Sequence, residues 1–316
     1  MQPRPFEAPY LDIGMMRAQQ ALPMTIVCGT DFSEASNDAA RTAAALARRR
    51  GDALRLVHVV QELGLDLQLV SLNDIQYNPV RATLHSQAET LRAVGTQVEE
   101  VLMAGRPDEA LCDVARHTHP WLVVVSSVGR GGAARWLLGS VSERTAQSCP
   151  APVLVVRSPS ALKTWASGTT PLRVLVGVDH TATSRAAYQW AKTLPQLGPC
   201  EVIAAHVAWP PGENARMGLH GPVAMDRLEP AVEHAVESEL KEFLGDPGGA
   251  EAVNLSVQPG MGRVDSHLSL WAEAARADLL VVGSNHRTGA DRILHGAVSR
   301  GVLHLARTNI VCVPAT

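Results

Sequence analysis

The chain repeats itself, and this limits the folds open to it more than any other feature. LRLVHVV (54–60) matches VIAAHVA (202–208) at an offset of 148, with His58 over His206. MTIVCGTD (24–31) matches LRVLVGVD (172–179) at the same offset of 148, with Asp31 over Asp179. After a change in loop length the offset becomes 157. There GRPDEALCDVA (105–115) meets GRVDSHLSLWA (262–272), and WLVVVSS (121–127) meets DLLVVGS (278–284). Such self-similarity marks a tandem duplication of one folding unit, and 316 residues suffice for two domains of ordinary size. The reading is an N-terminal arm over 1–23, a first domain over 24–157, a turn-rich linker, SPSALKTWASGTTP, over 158–171, and a second domain over 172–316.

Within each copy, short apolar runs alternate with helical stretches. Copy one gives MTIVCGT, then an Ala-rich helix over 35–50 that starts at the capping candidate Ser33 and stops at Gly51. LRLVHVV follows, then a helix over 79–94, QVEEVLM, a helix over 108–117, WLVVVSS, a helix from 140, and VLVV (153–156). Runs of Val and Leu that are apolar on both faces and separated by helices imply a parallel sheet covered on both sides. The fold class is therefore α/β: two tandem doubly wound, flavodoxin- or Rossmann-like domains, each with a five-stranded parallel sheet. A ligand of such a domain sits beyond the C-terminal strand ends.

Composition narrows the function. Hydrophobic residues make up 46% and charged residues 19%, as in a globular protein. At 4% aromatics, the cores must be built from Ala, Val and Leu. A net charge of −3 and a pI near 6.5 give no electrostatic support for binding nucleic acid or an anionic membrane. No apolar run approaches the roughly 18 residues of a membrane span. The first 23 residues lack a contiguous apolar stretch and read as a disordered or partner-docking arm, not a signal peptide. Met15, Met16 and Met24 also offer starts further in. Five scattered cysteines without a CxxC pair fit reduced thiols in a cytoplasm. HExxH, GxSxG, a Walker A lysine motif and clustered Cys ligands are all absent from the sequence.

The chemistry gathers at the strand ends of copy one. Asp31 closes the first strand, and the fourth runs into Ser126, Gly129, Gly131 and Gly132. Gly139-Ser140 then opens a helix with Glu143 three residues on, which reads as an S-x-x-E capping box. Glycines let backbone N–H groups approach an anion, and a helix N-terminus adds oriented donors and partial positive charge. Ser140 offers a hydroxyl, Arg130 a charge, and Asp31 an acceptor for a base or ribose group. Those residues equally suit a plain strand-to-helix turn in which Ser140 and Asp31 only cap helices. On residue chemistry alone both remain open. A loose G-x-G-x-x-A match over Gly129 to Ala134 follows the fourth strand instead of the first, which makes it accidental.

Taken together these residues resemble the tandem two-domain members of the universal stress protein family. The family signature is G-x-x-G, nine residues, then G-[ST], after the fourth strand, with an Asp ending the first. Gly129, nine residues on Gly139-Ser140, and Asp31 match it, followed by VSERTAQSCPAPVLVV; copy two offers VGVD, ADLLVVGS and HGAVSRGVLHLARTNIVCVP. The resemblance implies ATP, with or without Mg2+, as the cofactor. Its site residues would be Thr30, Asp31, Val59, Gly105, Ser126, Gly129, Arg130, Gly139, Ser140, Val141 and Ser142. It implies pairing of the two domains through their last strands, VLVV (153–156) and IVCV (310–313), as an intrachain pseudo-dimer, with a homodimer of chains also open. Roles in that family are regulatory, in stress survival; at most slow ATP hydrolysis is expected.

The copies depart from the signature unequally. In copy one Ser126 replaces the first Gly. Copy two keeps Gly283 and Asp179, but His286 replaces the second Gly, Ala297 replaces the Ser, and Arg300 stands where Glu143 does. Copy one is therefore the expected ATP site, and copy two is degenerate. Two other readings stand beside it: an interaction scaffold without nucleotide, and a metal or other ligand held by His180, His286 and His295 in copy two. His58 and His206, in matching strands, read as buried and hydrogen-bonded.

Overall fold

A computed structural model describes residues 25–61, 70–129, 138–245, 248, 253–284 and 297–315, with the side chains of 70–77 and 297 outside that description. Copy one runs β1 (Ile26–Thr30), α1 (Glu34–Arg50), β2 (Leu54–Val60), α2 (Val70–Arg92), β3 (Val98–Ala104), α3 (Pro107–Thr118), β4 (Leu122–Ser126), α4 (Ser140–Ser148) and β5 (Val153–Val156). A helix α5 (Pro159–Ala166) connects it to copy two. Copy two runs β6 (Leu172–Gly177), α6 (Ala182–Ala191), β7 (Cys200–Ala208), α7 (Pro210–Arg216), α8 (Pro230–Leu244), β8 (Leu255–Pro259), α9 (Val264–Ala274), β9 (Leu279–Ser284), α10 (Ala297–Leu305) and β10 (Asn309–Pro314).

Each copy is a five-stranded parallel sheet, and the two join edge to edge in the order β3-β2-β1-β4-β5-β10-β9-β6-β7-β8. The join is the antiparallel pair β5–β10, with Leu154 opposite Val311. Those two residues are 157 apart and occupy the same repeat position, so a local twofold passes between them. Strands of the two copies therefore point in opposite directions, and their C-terminal ends open on opposite edges of the sheet.

Side chains alternate across each strand, which divides the core into two layers. Ile26 and Cys28 face α1, while Val27 faces α3 and α4. In α1, Ala39, Ala40, Ala43, Ala44 and Ala47 are all buried, and their small side chains seat the helix close to the sheet. Ser33 caps its start, accepting from the Ser36 amide at 3.2 Å, and Gly51 ends it with a φ of 76°. Gly29 and Gly177 hold the same position in the two copies: a Cβ on either would lie 2.9 Å from Leu111 or Leu268, its partner on the covering helix. The duplication extends to individual packing contacts.

Two elements differ from the sequence reading. The stretch read as a turn-rich linker contains α5, with Pro159 in the first turn and Leu162, Trp165 and Ala166 buried. Their spacing places all three on one helical face, and burial of that face outweighs the flanking turn residues. Asn309, fully buried, fastens its start. The Asn309 carboxamide accepts from the Arg157 and Ser158 amides at 3.0 Å and donates to the Ser158 and Asp278 carbonyls at 2.9 Å. Helix α2 begins at Val70, so Pro79 lies inside it where the sequence suggested a start.

Candidate functional site

In copy one, β1 lies between β2 and β4, and the helices after β1 and β4 leave to opposite faces of the sheet. That divergence opens a crevice at their C-terminal ends, the usual ligand position of such sheets. Asp31 stands in it. One carboxylate oxygen, Oδ1, accepts from the Ser33 amide at 3.0 Å and turns the chain into α1. The other, Oδ2, lies 2.8 Å from where a Cβ on Gly129 would be. The backbone after β4 thus passes directly against Asp31, and only glycine leaves the carboxylate its place.

The far end of the loop is tied back as well. The Gly139 amide donates to the Ser127 carbonyl at 2.7 Å, and a Cβ on Gly139 would lie 3.4 Å from that oxygen. Gly139 is the extended residue before α4, so Ser140 and Val141 occupy the first two helical positions, where amides have no partner within the helix. Asp31, Gly129, Gly139 and Ser140 are therefore gathered about one crevice. Arg130 lies outside the described residues.

The remaining predicted residues divide into rim and brace. Val59 is half-buried near the end of β2, and Gly105, with a φ of 115°, ends β3 by donating to the Val60 carbonyl at 3.0 Å. Thr30 is buried and accepts from the Phe32 amide at 3.1 Å. Ser126 is buried too, its hydroxyl donating to the Val128 carbonyl at 2.8 Å, so the extra atoms at the first signature position turn inward. The Ser142 hydroxyl donates to the Ser126 carbonyl at 2.6 Å and fastens α4 to β4.

Ser140 and Glu143 do not form the capping box read from the sequence. A box needs the serine at the extended position before the helix, and Gly139 holds that place with φ −70° and ψ 144°. The Glu143 carboxylate points across to copy two, accepting from Arg300 Nε at 3.0 Å, with His304 Nε2 at 3.2 Å. Burial would raise this carboxyl, but His304 and Arg300 outweigh it and hold it below the usual range. Sequence reasoning missed these partners although the offset of 157 had already laid Arg300 over Glu143. It missed Phe32 as well, which adopts a φ of 65° and stacks on His58 with ring centres 4.2 Å apart. A cavity of about 560 Å³ between α1 and α2 borders the crevice through Phe32.

At the strand ends of copy two, Asp179 Oδ1 accepts from the Thr181 amide at 2.9 Å, repeating the Asp31 turn. His206 Nδ1 meets the Val178 carbonyl at 2.9 Å, as His58 Nδ1 meets that of Thr30 at 2.7 Å, so both histidines are braces within the fold. His180 stands 6.5 Å from His206 and 5.6 Å from Phe243, ring centre to ring centre. His286 and His295 lie outside the described residues, and among the described residues no group of three His, Cys, Asp or Glu side chains could hold a metal. Burial pushes the thiols of Cys28 and Cys312 up to about 12, so neither is a thiolate at neutral pH.

The sequence model of the universal stress protein family matches residues 24–157 and 172–314. The chain belongs to that family. A universal stress protein of Mycobacterium tuberculosis is 29% identical over 215 residues, 68% of this chain and 68% of its own. Another from the same organism is 27% identical over 314 residues, 90% of this chain and 95% of its own. The crystal structure of a universal stress protein from Archaeoglobus fulgidus superposes with a TM-score of 0.67 at 17% identity, covering 92% of this chain and 98% of that one. That likeness shows the fold. Among the described residues no helix is long and apolar enough to cross a membrane.

Proposed function

We propose that this universal stress protein binds ATP in copy one and acts by regulation in the stress response, with copy two degenerate as a nucleotide site. The observation that carries the reading is the contact of Gly129 with Asp31, where a Cβ would lie 2.8 Å from the carboxylate. It joins the glycine that opens the signature loop to the acidic residue that ends β1, and Gly139 closes the same cradle at the start of α4. Adenine would lie toward Asp31 and Val59, and the phosphates against Gly129, Gly139 and the first amides of α4, with Ser140 donating its hydroxyl. Mg2+ would enter with the phosphates. Ser126 leaves the cradle clear because its hydroxyl is turned to Val128. The domains would be residues 24–157 and 172–316, paired as an intrachain pseudo-dimer through β5 and β10, in a cytoplasmic protein.

Calorimetric titration of the full chain with ATP and Mg2+ tests this, alongside mass spectrometry of nucleotide released on denaturation. Gly129→Glu should weaken ATP at least about 100-fold, or ~2.7 kcal/mol, by filling the cradle and adding negative charge. Gly129 is exposed, so the variant should keep its circular dichroism. Changing His286 should leave ATP affinity intact. Wild-type protein that carries no nucleotide and binds none at millimolar ATP would instead be a scaffold.

A further inference from the structure

Glu143 and Arg300 occupy the same repeat position, 157 residues apart. Near a local twofold, such residues meet their own counterparts, and the pairing of Leu154 with Val311 puts that axis at the seam. In a symmetric pair a glutamate here would face a glutamate. In this chain it faces a cation: Arg300 Nε lies 3.0 Å from Glu143 Oε1, and His304 Nε2 lies 3.2 Å from the same oxygen. Arg300 is 66% exposed and Glu143 20%, so the carboxylate is the more enclosed partner.

The position of this pair on α4 gives it a consequence for the site. Glu143 follows Ser140 by three residues on one helix, which brings their Cβ atoms to roughly 5–6 Å. A carboxylate one turn from the start of α4 repels any polyphosphate held there. Because β5 and β10 are antiparallel, α4 and α10 also run in opposite senses. Residues C-terminal to Arg300 therefore run toward the start of α4, and His304 lies one turn along that path.

We propose that copy two supplies the countercharge of copy one's phosphate site: Arg300, with His304 beside it, neutralises Glu143 across the seam, so nucleotide affinity in copy one depends on copy two. This rests on the ATP reading above. It gives copy two a role in binding even where its own loop has diverged, through a residue at which the two copies differ in charge.

The test is titration of the full chain with ATP and with AMP, for wild type, Arg300→Ala, Arg300→Lys, Glu143→Gln and the double variant Glu143→Gln/Arg300→Ala. Arg300→Ala should weaken ATP by about 3- to 10-fold at low salt and AMP by less than about twofold, since the extra charge lies on the outer phosphates. Arg300→Lys should retain most of the affinity. The double variant should recover to within about twofold of Glu143→Gln, because without the carboxylate there is nothing left to neutralise. Unchanged ATP affinity in Arg300→Ala, or a double variant as weak as Arg300→Ala, overturns the cross-copy role alone. Wild-type protein that binds no ATP overturns the nucleotide reading and this inference with it.

Discussion

In copy one Phe32 lies flat on His58, whereas in copy two His180 stands at the same repeat position, edge-on to His206 and to Phe243. Beneath both, the lower histidine makes the same bond from Nδ1 to the carbonyl that ends the first strand. The bonds that fold each strand end have been kept in both copies, while the surface above them has diverged. Glycines sort in the same way. Gly29 and Gly177 are shared because Leu111 and Leu268 press on them. Gly283, the first signature glycine of copy two, is fixed by packing also: a Cβ there would meet the Thr183 backbone carbon at 2.5 Å. Copy one carries Ser126 at that place, buried, with its hydroxyl donating to the Val128 carbonyl at 2.8 Å. A glycine that fits a ligand signature can thus be held by a helix, whereas Gly129 is held by the Asp31 carboxylate in the crevice.

The sharpest way to break the equivalence of the copies lies between α9 and α10. Copy one pairs Arg144 with the buried Asp108 at 2.8 Å, and copy two has Gly301 at the matching place, where a Cβ would fall 1.5 Å from the Asp265 carboxylate. Gly301→Ala should destabilise the protein by about 3 kcal/mol, although alanine favours helix by ~1 kcal/mol, because buried Asp265 must give way. Arg144→Ala should cost about 1 kcal/mol, since Arg106 still faces Asp108 at 3.2 Å. Urea midpoints of the two variants measure the difference. Equal losses would mean that the helix pairs are packed alike.

Next in size is the exchange at the first signature position. Gly283→Ser should cost about 2 kcal/mol by forcing α6 off β9. Ser126→Gly should cost about 1 kcal/mol, for one hydroxyl bond and added backbone freedom. Thermal melts read both. If Ser126→Gly instead tightens ATP several-fold with no change in stability, the hydroxyl intrudes on the cradle despite its bond to Val128.

Much of this was legible in the sequence. The duplication fixed the alternation of strands and helices, Ser33 and Gly51 marked both ends of α1, and the matched His58 and His206 announced a shared structural role. What stayed hidden depended on contacts between distant parts of the chain. Leu162, Trp165 and Ala166 are too short a pattern to outvote the Ser, Gly and Thr around them, and only the core they enter makes α5 visible. The supposed box at Ser140 and Glu143 failed by one residue, since spacing cannot say whether Gly139 or Ser140 is the last extended position. The partners of Glu143 required knowing that the copies meet about a twofold at Leu154 and Val311.

The smallest expected effect concerns protons at the strand ends of copy two. Burial lowers the His206 pKa below 6.5, helped by the nearby His180; the Val178 carbonyl, Glu213 and Asp179 oppose this without reversing it. A histidine depressed in the folded state is protonated first in the unfolded chain, so stability should be full above about 6.5 and fall as the pH drops below it. His206→Asn, which keeps a donor for the Val178 carbonyl, should give a shallower acid limb in thermal melts between about pH 7.5 and 5. His180→Phe, which restores the aromatic of copy one and removes the neighbouring imidazole, should flatten the limb less than His206→Asn does. An acid limb identical in all three proteins would place the proton-linked loss elsewhere, and the divergence of Phe32 and His180 would then carry no electrostatic consequence.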